Sequence, residues 1–99
     1  MAEIRWTAEA EIWLRNIYDY IAEDNASAAA RVVAGIYEKA QLLRQFPDIG
    51  YRHRSEKEGE IRILLYGHYR IAYLRRKEKD LVDILGVFHG ALDLDRYIP

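Results

Sequence analysis

Hydrophobic positions change their period halfway along the chain. Up to Phe46 they recur every three or four residues; beyond Glu60 they crowd into short runs. Trp13, Ile17, Tyr20 and Ile21, flanked by Leu14 and Tyr18, form one stripe, and Ala29, Val32, Val33, Ile36, Ala40, Leu43 and Phe46 form a second. Such spacing marks amphipathic helices and predicts two of them, roughly 7–23 and 26–46. Thr7 supplies a side-chain oxygen for the first N-terminus, and Glu9 and Glu11 stand in the first turn, where the helix dipole favours acids. Asp24-Asn25-Ala26-Ser27 breaks the first helix and caps the second, which Pro47 and Gly50 end.

The second half is β-rich. Glu60–Tyr66 and Tyr69–Arg75 are separated by Gly67-His68, a hairpin signal, and Leu81–His89 follows the polar break Lys77-Glu78-Lys79-Asp80. Strands are predicted at roughly 60–66, 69–76 and 81–89, with a short one at 2–6. Alternation sends Tyr69, Ile71 and Tyr73 toward the helices and Arg70, Ala72 and Leu74 away. It also groups Val82, Ile84 and Phe88 on one face against Leu85 and Val87 on the other, so this strand is expected to be central. The fold class is therefore α+β, in the order β-α-α-β-β-β. An antiparallel helix hairpin packs on a small antiparallel sheet within a single domain spanning 1–99. Trp13, Tyr18, Tyr20 and Tyr37 read as packing residues of that domain.

Apolar residues at 51% and charged residues at 31% describe a folded globular chain. The chain has no cysteine, which excludes disulfides, zinc-thiolate sites and thiol nucleophiles. Its beginning lacks the pattern of a signal peptide and no run is long enough for a membrane span, so a cytoplasmic protein without membrane contact is expected. The net charge of −1 hides an asymmetry. Residues 51–77 hold eight bases against three acids, a local +5, while residues 1–48 carry a net −3. A basic sheet side suits nucleic acid or an acidic protein segment.

Phosphate-loop, zinc-protease and calcium-loop motifs are missing, and His53, His68 and His89 are too scattered for a metal site; no cofactor is expected. Arg62 and Arg70 lie within strands, where a rigid sheet can hold phosphates or carboxylates in fixed geometry; the rival reading is a solvated face. His68 sits at a hairpin tip. His89 ends a strand before Gly90, held rigidly yet able to reach solvent.

Several segments together resemble the RelE/ParE superfamily of bacterial toxins. These are Trp6-Thr7-x-x-Ala10, Ile17-Tyr18-Asp19-Tyr20-Ile21-Ala22-x-Asp24-Asn25 and Ala29-Ala30-Arg31, followed by Phe46-Pro47-x-x-Gly50, Arg62, Tyr69-Arg70-Ile71-x-Tyr73 and Ile84-Leu85-x-Val87-x-His89. The resemblance covers nearly the whole chain and implies the toxin half of a type II toxin–antitoxin operon of the plasmid-stabilisation kind. It implies a cognate antitoxin as partner, in a homodimer or a heterotetramer with that antitoxin. The superfamily divides in mechanism. ParE-like members inhibit DNA gyrase by protein contact, whereas RelE-like members cut mRNA on the ribosome. The helix motif and Tyr69-Arg70-Ile71-x-Tyr73 favour the ParE-like branch, as do Gly90, where a nuclease commonly carries a base, and Asp93 and Asp95, which would repel a phosphate. In the ribonuclease alternative Arg62 and Arg70 hold phosphate, His89 or Glu60 moves protons, and Tyr97 is the late tyrosine. As a partner surface, the expectation names Arg52, Arg54, Arg62, Arg70 and Tyr97. A third reading is an inactive toxin-fold binding module.

Overall fold

The computed structural model describes residues 1–98. Its elements are β1 (Glu3–Trp6), α1 (Ala8–Ala22), α2 (Ala26–Gln41), β2 (Tyr51–Glu56), β3 (Gly59–Tyr66), β4 (Tyr69–Arg76) and β5 (Leu81–His89). Short 3-10 turns cover Leu42–Arg44, Lys77–Lys79 and Leu94–Arg96. Both expected helix caps form: the Thr7 hydroxyl accepts from the Ala10 N–H at 3.1 Å, and the Asn25 side chain from the Ala28 N–H at 3.0 Å. The second helix stops at Gln41, short of the expected 46; the turn Leu42–Arg44 carries the stripe on, and Leu43 is fully buried.

The sheet has five strands in the order β1-β5-β4-β3-β2. Strand β2 is one more than the sequence pattern suggested. Tyr-Arg-His-Arg-Ser-Glu has no apolar alternation, because an edge strand carrying charge needs none. The sheet is also mixed rather than antiparallel: β1 runs parallel to β5, with Glu3 opposite Leu81 and Trp6 opposite Ile84. Strand β4 is central, with β5 beside it under the cover of β1.

The helix hairpin covers one face. Leu14, Ile36, Ala40 and Leu43 pack there on Leu64, Ile71, Tyr73, Val82, Ile84 and Val87. On the other face Ile61, Ile63, Ala72, Leu74 and Phe88 meet Leu94 and Ile98 of the C-terminal segment. Phe88 thus lies opposite to the face expected for it. A bulge is the cause: Ala72 pairs with Gly86 and Tyr73 with Ile84, so Leu85 is an extra residue and the alternation of β5 shifts phase. Helix α1 is also less covered than its stripe implied. Tyr20 is 77% exposed, and Ile12 and Tyr18 face solvent, because Ala10 and Leu14 are the residues that α1 buries. At Gly35 the Tyr66 ring of β3 lies against α2: a Cβ there would stand 1.9 Å from the Tyr66 hydroxyl and would push that side chain aside.

Candidate functional site

Strand alternation decides where the two sheet arginines point. Arg62 stands opposite Tyr73 and in phase with Leu64, on the helix side. Arg70 stands opposite Phe88 and Leu65, in phase with Ala72, on the other face. The sheet itself separates them.

Each guanidinium is engaged. The Arg62 Nη1 donates to the carbonyls of Asp48 at 2.9 Å and Gly50 at 2.6 Å, and its Nε donates to Glu60 at 3.1 Å. Beside it Arg75, itself buried, pairs with Asp48 at 3.3 Å and Asp80 at 3.1 Å. The Tyr73 hydroxyl accepts from the Gly50 N–H and donates to the Pro47 carbonyl. Burial pushes the Tyr73 phenol up, against the opposing pull of that Gly50 N–H and of Arg62. Pro47, Gly50, Arg62 and Tyr73, scattered in the sequence, thus form one polar knot that ties the loop after α2 to the sheet. On the far face the Arg70 Nη2 donates to the carbonyls of Leu92 and of His89, the latter at 3.3 Å. Its cation fastens the C-terminal segment.

His89 ends β5 opposite Tyr69. Its ring lies 6.0 Å from Tyr69 and 6.3 Å from His68, and its Nδ1 accepts from the Ala91 N–H at 3.4 Å. It lines a groove of about 430 Å³ with Trp13, Asn16, Ile17, Tyr20, Tyr69 and Leu92. Tyr73 is four positions along β4 from Tyr69, so His89 and Arg62 lie roughly 13 Å apart along the strands and two strands apart across them. Arg62, Arg70 and His89 therefore do not converge.

The remaining expected residues are dispersed too. Arg52 is exposed, directly opposite Arg62, with Glu60 at 4.0 Å between the two cations. Arg54 holds Glu56 at 2.9 Å and Asp95 at 3.0 Å. The Tyr97 ring sits against Trp13 and Phe88, with centroids 5.2 and 5.9 Å away. The bases of 51–77 consequently do not make one patch; they occupy both faces, and Arg52, Arg54, Arg62, Arg75, Arg76 and Lys77 pair with acids.

Two features escaped sequence reasoning. Asp83 is buried in β5, where Arg5 at 2.9 Å and Arg76 at 2.8 Å flank it. Although burial opposes ionisation, these two arginines hold its carboxyl below the usual range. A lone Asp inside an apolar strand was the signal. The second feature is a groove of about 460 Å³ along the helix hairpin, lined by Glu11, Ile12, Tyr18, Asp19, Val33 and Tyr37. There the Tyr37 hydroxyl donates to Glu11 at 2.9 Å, and burial with that carboxylate pushes the phenol up to about 12.

A hairpin of helices on a mixed five-stranded sheet, with motif residues spent on the scaffold and exposed apolar side chains on the first helix, defines a small α+β domain. Residues 4–94 match the family described as the ParE toxin of the type II toxin–antitoxin system parDE, and the chain belongs to that family. A protein of Sinorhizobium fredii (strain NBRC 101917 / NGR234) named "Putative toxin Y4kP" is 40% identical over 87 residues, covering 88% of this chain and 86% of its own. Among solved structures, the chromosomal ParDE system from P. aeruginosa superposes with a TM-score of 0.71 at 26% identity, over 90% of this chain and 96% of the other. The toxin–antitoxin complex RelBE2 from Mycobacterium tuberculosis gives 0.65 at 27% identity, over 89% and 96%. No helix among the described residues is long and apolar enough to cross a membrane.

Proposed function

We propose that this ParE-family toxin arrests growth by inhibiting DNA gyrase in the cytoplasm through protein contact, and that a cognate antitoxin neutralises it. The observation that carries the reading is the disposition of Arg62, Arg70 and His89. Cleavage of RNA by its 2′-hydroxyl, which bonds to the adjacent phosphorus as the 5′-oxygen leaves, requires a base for the hydroxyl, an acid for the leaving oxygen and cations converging on one phosphate. In this chain the cations stand on opposite faces of the sheet and hold backbone carbonyls. A contact mechanism needs no such convergence, only exposed anchors on a rigid frame.

For the antitoxin, the hairpin groove supports helix-in-groove docking. Ile12 and Tyr18 offer apolar contact, and Glu11, Arg15 and Asp19 offer charge along the same groove. Induction of the toxin in cells, followed by gyrase supercoiling and cleavage-complex assays and by primer extension on translated mRNA, tests the proposal. A response of gyrase without new 5′ ends supports it. New 5′ ends without a gyrase response would assign the chain to the ribonuclease mechanism instead.

A further inference from the structure

Strand β2 contains a bulge with a use. Arg52 pairs with Arg62 and Arg54 with Ile61, which leaves His53 as the extra residue. In a regular strand consecutive side chains point to opposite faces, so neighbours cannot reach the same atom. The bulge removes that restriction. The His53 Nε2 lies 2.9 Å from Asp95 Oδ1, and the Arg54 Nη1 donates to the same oxygen at 3.0 Å. Asp95 belongs to the segment 92–98, whose Leu94 and Ile98 cover Ile61, Ile63, Ala72, Leu74 and Phe88. Arg70 holds the start of this segment through the Leu92 carbonyl.

We propose that residues 92–98 form a releasable strap, latched to the β2 bulge by a clasp of Asp95 with His53 and Arg54, and that protonation of His53 tightens the clasp. Release uncovers the apolar face beneath while the rest of the sheet stays folded. The segment lies outside the ladder, held by two buried side chains, the Tyr97 ring and a few polar contacts, and segments with so few holds open before the core does. Among the described residues, the charged groups meeting at the clasp are Asp95 on the strap and Arg54 on the strand of His53; Arg54 also holds Glu56. Protonated, His53 adds its positive charge to that of Arg54 beside the Asp95 carboxylate; neutral, it adds a hydrogen bond alone. The hydrogen bond from His53, with the charges of His53 and Arg54, already keeps that carboxyl below its usual range.

Amide hydrogen exchange of the purified full chain at about pH 5.5 and about pH 8, on either side of the histidine range, tests this independently of what the toxin acts on. Corrected for intrinsic rates, strap amides should exchange faster than those of β4 at both values. They should be more protected at the lower pH by about two- to fivefold, the range expected of an exposed ion pair. His53→Gln should abolish that difference, and Asp95→Asn should speed strap exchange at both values while leaving β4 unchanged. Strap amides that exchange together with β4 would overturn the proposal. So would a pH dependence that survives His53→Gln, which would assign it to His89 and its contact with Ala91.

Discussion

Gly50 and Tyr73 are locked together across 23 residues of sequence: the glycine N–H donates to the buried hydroxyl at 3.0 Å, and the hydroxyl donates onward to Pro47 at 2.8 Å. The glycine is there for space. A Cβ at position 50 would stand 2.6 Å from the Ile63 carbonyl oxygen and 2.8 Å from the Tyr73 hydroxyl. The loop, the strand and the phenol therefore fit only with hydrogen at that position.

Gly50→Ala is expected to destabilise the fold by about 1–3 kcal/mol, the usual cost of overpacking against groups that cannot retreat. Tyr73→Phe leaves the Gly50 N–H without its partner and should cost about 1–3 kcal/mol. Urea unfolding of both variants checks this, and an unchanged midpoint for Gly50→Ala would contradict the close approach.

Arg62→Ala and Arg70→Ala should act on stability before they act on any target. Each substitution frees backbone carbonyls from a charged donor, a loss of about 1.5–3 kcal/mol. Toxicity should fall in proportion to the folded fraction, and His89→Ala, which leaves both knots intact, should be mild. Complete loss of toxicity from His89→Ala with the midpoint of unfolding unchanged would favour the ribonuclease mechanism.

Asp83 ties the N-terminal strand to the sheet through Arg5, and its acidity sets a pH dependence. Its folded carboxyl titrates below the ordinary range, so the folded state gains from its ionised form at neutral pH. That gain is complete above the unfolded carboxylate value of about 3.9 and disappears as pH falls through the lower folded value. Asp83→Asn should unfold more readily at neutral pH and show a shallower loss of stability in acid. Parallel denaturation curves from neutral pH down to about pH 2 measure both.

The helix hairpin groove supplies a test of the antitoxin surface. Ile12→Asp and Tyr18→Ala alter exposed side chains, so the fold should hold. Antitoxin affinity should fall by about 1–2 kcal/mol or more, roughly tenfold, if these are anchors. Titration calorimetry with the cognate antitoxin reads the effect. Unchanged affinity for both variants would move the docking surface elsewhere, with the β2 edge at Arg52 the next to test.

Removing residues 92–99 is a poor probe of contact with a target. The terminus is not free: Leu94 and Ile98 are buried, and Tyr97 packs on Trp13 and Phe88. Truncation should expose Ile61, Ile63 and Phe88 and lower stability, visible as increased binding of an apolar dye before any assay of toxicity.

The sequence by itself determined what depends on neighbours in the chain. Helical period, the caps at Thr7 and Asn25, the Gly67-His68 turn and four of the five strands are encoded within a few residues and emerged close to where the pattern set them. The face on which a strand residue lands is a different matter. One extra residue at Leu85 moved Phe88 across the sheet, and one at His53 let two adjacent side chains meet the same carboxylate. Pairing of β1 with β5 joins residues 78 positions apart, as Arg5 and Asp83 do, and local pattern carries no trace of it. Most telling are Arg62 and Arg70, alike in the sequence and placed on opposite faces by an even–odd count that only the assembled ladder fixes. Tertiary structure decided that these cations hold the scaffold together, because a guanidinium among backbone carbonyls binds the nearest acceptor, and the fold brings those acceptors from the loop after α2 and from the chain end.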